Sequence, residues 1–154
     1  MSAALGPYRR ILVPTDFSSV SEQAWRAARE LARTTGAELV LLHVLVEAPL
    51  YSESPVSGPR LREVYESARE WATKKLEQWA AEARAAGLVV RVEARAGVPY
   101  QDILTMARSA GIDVIVLGTR GRGGVERALL GSVADRVIRL APCPVLSVRS
   151  VEAE

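Results

Sequence analysis

Short apolar runs of strand length alternate with longer stretches of helical period along almost the whole chain, and that alternation leaves few folds open. Ile11-Leu12-Val13 reads as a short buried strand ending at Pro14-Thr15-Asp16. Ser21 is the expected N-cap of a helix that buries Ala24, Trp25, Ala28, Leu31 and Ala32, with Gly36 as its stop. Leu39 to Val46 is nearly continuous in apolar residues, the pattern of a central strand covered on both faces. Residues 47–59 carry three prolines with serine and glycine and read as a loop insertion.

From Pro59 a long helical pattern places Leu61, Val64, Tyr65, Ala68, Ala72, Leu76, Trp79, Ala80 and Ala83 on one side, and Gly87 closes it. Leu88 to Ala94 alternates in the manner of an edge strand. Gly97-Val98-Pro99 leads into a helix carrying Ile103, Leu104 and Ala107, capped by Gly111. A strand from Asp113 to Leu117, a helix through Val133, Val137 and Ile138, and a last strand from Val145 to Val148 complete the chain. Five strands alternating with four helices predict an α/β fold, a doubly wound parallel sheet with helices on both faces. One domain is expected over residues 1–154, with a core from about 8 to 149.

The segment after the fourth strand, GTRGRGGVERALLGS, holds Gly118, Gly121, Gly131 and Ser132 in the spacing G-x₂-G-x₉-G-S. Glycines let main-chain N–H groups approach an anion, and a helix N-terminus adds unpaired donors and a positive dipole end. The simpler reading is a strand-to-helix connection that needs positive φ at its glycines, with Ser132 as an ordinary N-cap. Arg120, Arg122 and Arg127 read as solvated side chains in the unliganded protein, of which one or two could clamp phosphate oxygens in bidentate geometry. In open α/β sheets a ligand sits beyond the carboxyl ends of the strands, where strand order reverses. If the first and fourth strands are neighbours, Asp16 and Gly118 share that edge, and the loop after the second strand, beginning at His43-Val44-Leu45, forms the adjoining wall. Asp16 has a plainer role open to it, as a carboxylate capping the first helix. His43 reads as a hydrogen-bonded core histidine, and Trp25, Trp71 and Trp79 as packing or partly exposed helix residues.

Composition removes several classes of function. The net charge of +2 comes from interspersed signs with no basic run, which argues against nucleic-acid binding. No secretory signal pattern and no apolar stretch of membrane-spanning length is visible, so a cytoplasmic protein is expected, with no membrane partner. Cys143, alone between Pro142 and Pro144, reads as a buried inert thiol, and one His with one Cys makes no soft-metal cluster. A Walker A motif is excluded because the only lysines, Lys74 and Lys75, lie in the long helix. A dinucleotide fingerprint from Gly121 would need glycine where Glu126 stands, and a receiver domain would need an acidic residue where Arg95-Ala96-Gly97 stands.

The chain resembles the universal stress protein family, in its ATP-binding branch, over nearly its full length. The likeness rests on RRILVPTDFS (Arg9 to Ser18), the LLHV of the second strand, Gly97-Val98-Pro99, DVIVLGTRGRGG, LLGSVADRVIRLAPCPVL and the terminal strand. It implies a five-stranded sheet of order 3-2-1-4-5 and a homodimer formed through the last strand, Val145 to Val148. It further implies ATP, and Mg²⁺ could arrive with the nucleotide, held mainly by phosphates and water. By the same resemblance Asp16, beside Pro14 and Thr15, faces the ribose and Val44 meets the adenine edge with its main chain. Gly118, Thr119, Gly121, Gly131, Ser132 and Val133 form the phosphate cradle; Thr119 keeps the hydroxyl of a serine common there, and a role for Arg120 is inferred from its charge. No catalytic residue is expected. A regulatory ATP-binding module with an unknown protein partner leads; a slow ATPase, or an AMP-binding or nucleotide-free interaction protein of the same fold, stands as the alternative.

Overall fold

In a computed structural model that describes residues 8–46, 58–120 and 130–149, the expected alternation is realised element by element. The order is β1 (Arg10–Pro14), α1 (Ser19–Thr35), β2 (Glu38–Val46), α2 (Gly58–Ala85), β3 (Val90–Gly97), α3 (Pro99–Ser109), β4 (Val114–Gly118), α4 (Ser132–Leu140) and β5 (Val145–Val148). All neighbours pair in parallel, in the order β3-β2-β1-β4-β5. The chain winds outward from β1 to β3, then crosses back to lay β4 on the other side of β1. The register there pairs Ile11 with Val114 and Leu12 with Ile115. Strand order therefore reverses between β1 and β4, which is where such sheets open a crevice.

Successive strand residues point to opposite faces, and both faces are covered. Ile11, Val13, Leu39, Leu41, Val114 and Val116 pack under α1 and α2. Leu12, Val40, Leu42, Ile115 and Leu117 pack under α3 and α4. This double burial explains why the central strands read as continuous apolar runs. Among the described residues, no helix is long and apolar enough to cross a membrane.

Several element boundaries depart from the sequence expectation for local reasons. Helix α1 is capped by Ser18, not Ser21: Ser18 is extended (φ −71°, ψ 163°) and its hydroxyl accepts the Ser21 N–H at 3.2 Å. Ser21 is buried in the first turn. Gly36 ends the helix at φ 76°, donating its N–H to Ala32 O, as a left-handed stop should. Helix α2 begins at Gly58, which shortens the expected loop; residues 47–57 lie outside the described ones. Its 28 residues span about 42 Å, whereas the eight residues of β3 cover about 26 Å. The fully buried stripe, Ala72, Leu76, Ala80 and Ala83, accordingly occupies only the C-terminal part, and Val64 is exposed rather than buried. Strand β3 runs from Val90 to Gly97, later than expected, with the preceding Val89 exposed. Ile138 on α4 is likewise exposed.

Candidate functional site

At the carboxyl edge β1 stops at Pro14, paired with Leu42, while β2 continues through His43 to Val46. The wall expected from a loop after the second strand is thus built by the strand itself. Leu42 O accepts the Thr15 N–H at 2.8 Å. In a ladder of period two, Val44 turns its main-chain N–H and C=O to the same side, where β1 has already ended. A cavity of about 660 Å³ opens there, inside the roughly 300–1,000 Å³ typical of small-molecule sites.

Pro14, Thr15, Asp16, Val44, Gly118, Arg120, Gly131, Ser132 and Val133 all line this cavity. Thr119 does not. Its main chain closes the edge instead, donating N–H to Val148 O at 2.9 Å and accepting the Gly131 N–H at 2.6 Å. Gly121, with Arg122 and Arg127, lies outside the described residues.

The turn after β1 is held by its own side chains. Thr15, 6% exposed, accepts the Phe17 N–H on Oγ1 and donates to Ser21 Oγ, each at 2.9 Å. Asp16 Oδ1 accepts the Ser18 N–H at 2.9 Å, so the carboxylate does organise the helix start while also facing the cavity. His43 Nδ1 lies 2.7 Å from Thr15 O, placing the donor on Nδ1 because a carbonyl only accepts. The expectation of a hydrogen-bonded histidine holds, although the ring lines the cavity too.

Helix α4 starts differently. Gly131 is its N-cap (φ −60°, ψ 151°) and supplies no side-chain cap. The first main-chain bond of the helix runs from Asp135 N–H to Gly131 O, so the Ser132, Val133 and Ala134 amides precede the internal ladder. Ser132 is therefore the first helical residue and not the cap. The first-turn carboxylate, Asp135, is engaged by Arg139 at 3.0 Å.

Neither Gly118 nor Gly131 has positive φ, which among the described glycines is confined to Gly36, Gly87 and Gly111. The flexible-connection reading fails at both positions. Gly118 is required for another reason: a Cβ there would stand 2.6 Å from Val20 Cγ1 and 3.1 Å from the Val20 carbonyl carbon. Gly97 plays a similar part, since a Cβ would collide with the Asp102 carboxylate in the first turn of α3.

The lining mixes apolar side chains, among them Leu42, Leu45, Val46, Pro99 and Ile103, with the polar Asp16 and Arg120 and the start of α4. Sequence reasoning missed Phe17 and Trp71 as wall residues. Phe17 adopts φ 64°, which nothing in an apolar side chain announces. Trp71 falls beside the buried stripe of α2 and becomes a wall only because β2 and α2 are neighbours. Cys143 is half-buried; burial first, then the charge of Asp113, pushes its thiol above the usual value. Among the described residues, no group of three His, Cys, Asp or Glu side chains is placed to hold a metal.

Comparison with known proteins agrees with this architecture. The model of the universal stress protein family matches residues 7–149. Universal stress protein MJ0531 of Methanocaldococcus jannaschii is 37% identical over 153 residues, covering 96% of this chain and 85% of that protein. The solved structure of MJ0577 from the same organism superposes with a TM-score of 0.86 at 30% identity, covering 96% of this chain and all of that one. A universal stress protein solved in complex with cAMP superposes with a TM-score of 0.62 at 26% identity, covering 94% and 98%. By sequence match and fold alike, the chain belongs to the universal stress protein family.

Proposed function

We propose that the cavity binds an adenine nucleotide, ATP foremost, and that the protein is a regulatory module whose nucleotide state a partner reads. The observation that carries this reading is the start of α4, where the N-cap Gly131 offers no side chain, at a cavity that apolar side chains also line. Amides that no side chain caps, at the positive end of a helix, suit phosphate oxygens. Asp16 suits ribose hydroxyls, which donate to a carboxylate, and the main chain of Val44 suits the edge of a base. The residues present fit the ligand: Gly118, Gly131, Ser132 and Val133 line the cavity and would border the phosphates, and Arg120 brings a cation to the same wall. Mg²⁺ would ride on phosphate oxygens and water. The cAMP complex of a relative supports an adenine nucleotide as the ligand class.

A binding role is preferred to hydrolysis because phosphoryl transfer to water needs a group that positions the nucleophile, and this reading assigns Asp16, whose Oδ1 already holds the Ser18 N–H, to the ribose. We further propose pairing through β5, an edge strand beside which Leu146, Ile138 and Leu140 are exposed. Sedimentation at micromolar concentration showing only monomer overturns that part. A cytoplasmic location, where ATP is supplied, follows from the same reading.

Calorimetric titration with ATP, ADP, AMP and cAMP, with and without Mg²⁺, tests the central proposal. Saturable binding with ATP tightest is expected; no heat with any of them at millimolar ligand refutes it. Single-turnover assays should show ATP surviving far longer than it stays bound.

A further inference from the structure

Trp71 is the least explained large side chain near the cavity. Trp25 is 3% exposed in the core, whereas the Trp71 indole, which lines the cavity, is 52% exposed. It is nevertheless held in place. Lys75, one helical turn on, sets its ammonium 4.9 Å from the indole centroid and 5.2 Å from that of Phe17. Phe17 meets the indole nearly at right angles with centroids 5.5 Å apart. Phe17 is itself braced by Trp79 at 5.5 Å and by His43 at 4.7 Å. The left-handed φ of Phe17, fixed by the hydrogen bond from its N–H to Thr15 Oγ1, directs the phenyl ring into this cluster.

A cation over one face of an indole leaves the opposite face for another partner. A wide flat apolar surface, ordered before binding, gains most from a flat aromatic ring because little further ordering is required. The geometry points to Trp71 as the stacking platform for the nucleobase. This rests on the nucleotide reading above and deepens it: α2 supplies the surface for the face of the base, while the main chain of Val44 on β2 meets its edge. The two contributions differ in kind. Stacking accepts any base, since every base has a π-face; hydrogen bonding at the edge selects among them. Trp71 thus provides affinity for the base and little choice between bases.

The test uses the full chain, with ATP and inorganic tripolyphosphate as probes for the whole nucleotide and for its anionic end. Trp71→Ala should weaken ATP binding by about ten- to a hundredfold and leave tripolyphosphate binding unchanged. Trp71→Phe, which keeps a ring, should recover most of the ATP affinity. ATP should quench part of the tryptophan emission in the wild-type chain, and that component should be missing in Trp71→Phe. Unchanged ATP affinity in Trp71→Ala overturns the inference, as does an equal loss for both probes, which would mark a structural role. Should Trp71→Ala unfold, emission quenched equally in wild type and Trp71→Phe overturns it as well. A wild-type chain that binds tripolyphosphate but not ATP refutes the stack while sparing the anion site; one that binds neither refutes the nucleotide reading itself.

Discussion

Helices α1 and α4 both begin at the carboxyl edge of the sheet, following the adjacent strands β1 and β4, yet they satisfy their first amides in opposite ways. At α1 the chain does the work itself. Ser18 caps the helix, Asp16 takes the Ser18 N–H, Thr15 and Ser21 join their hydroxyls, and Glu22 places a negative charge in the first turn. At α4 the cap is Gly131, which has no side chain to offer the amides, and Asp135 is turned to Arg139. A helix start left uncapped beside a cavity costs stability that an anion can restore. On the nucleotide reading proposed above, the difference separates the part of the edge that shapes the site from the part that receives the ligand.

The sharpest way to break this contrast is to give α4 the solution used by α1. Gly131→Asp places a carboxylate at an N-cap whose φ −60°, ψ 151° any residue can adopt. The free protein should gain a few tenths of a kcal/mol, since glycine is only slightly worse than aspartate as a cap. ATP affinity should fall by about a hundredfold or more, because a capped amide is withdrawn and like charges meet. Urea unfolding and calorimetry read the two effects separately. A variant that binds ATP normally would show that the phosphates do not use this helix end.

Gly118 tests whether glycines of the same motif share one duty. Gly118→Ala should destabilise the fold by about 1–3 kcal/mol through overpacking, because the new methyl meets Val20 on α1. The measurement is the urea midpoint without nucleotide. A stability equal to wild type would remove the packing argument and return Gly118 to the phosphate cradle alone.

What could be read from the sequence divides along the same line. The sheet and its layers were legible because burial on both faces writes continuous apolar runs, whereas the strand order, and with it the position of the crevice, came from the family resemblance and not from the residues alone. The residues at the edge were legible as a set, since Pro14, Asp16, Val44, Gly118, Gly131 and Ser132 do converge. Their individual reasons were not. A glycine in a sequence does not say whether it needs positive φ, close packing or ligand approach, and Gly118 proved to be a packing glycine with Val20, a residue 98 positions away. Ser18 and Ser21 are equally good caps by residue type; only the extended backbone of Ser18 decides between them. Phe17 and Trp71 were illegible as wall residues because their positions depend on a left-handed turn and on which helix lies beside β2.

The gentlest change tests the other half of the contrast. Ser18→Ala removes the hydroxyl that accepts the Ser21 N–H and that also donates to Ser21 Oγ at 3.2 Å. Loss of a serine N-cap costs about 1 kcal/mol, read as a lower urea midpoint with an unchanged slope. Ser18 is not part of the cavity wall, and Asp16 keeps the Ser18 N–H because that bond is made by the main chain. ATP affinity should accordingly stay within about twofold once binding is measured well below the unfolding transition. A larger loss of affinity would mean that the cap holds Asp16 towards the ligand, and the two helix starts would then form one coupled site instead of a scaffold and a receptor.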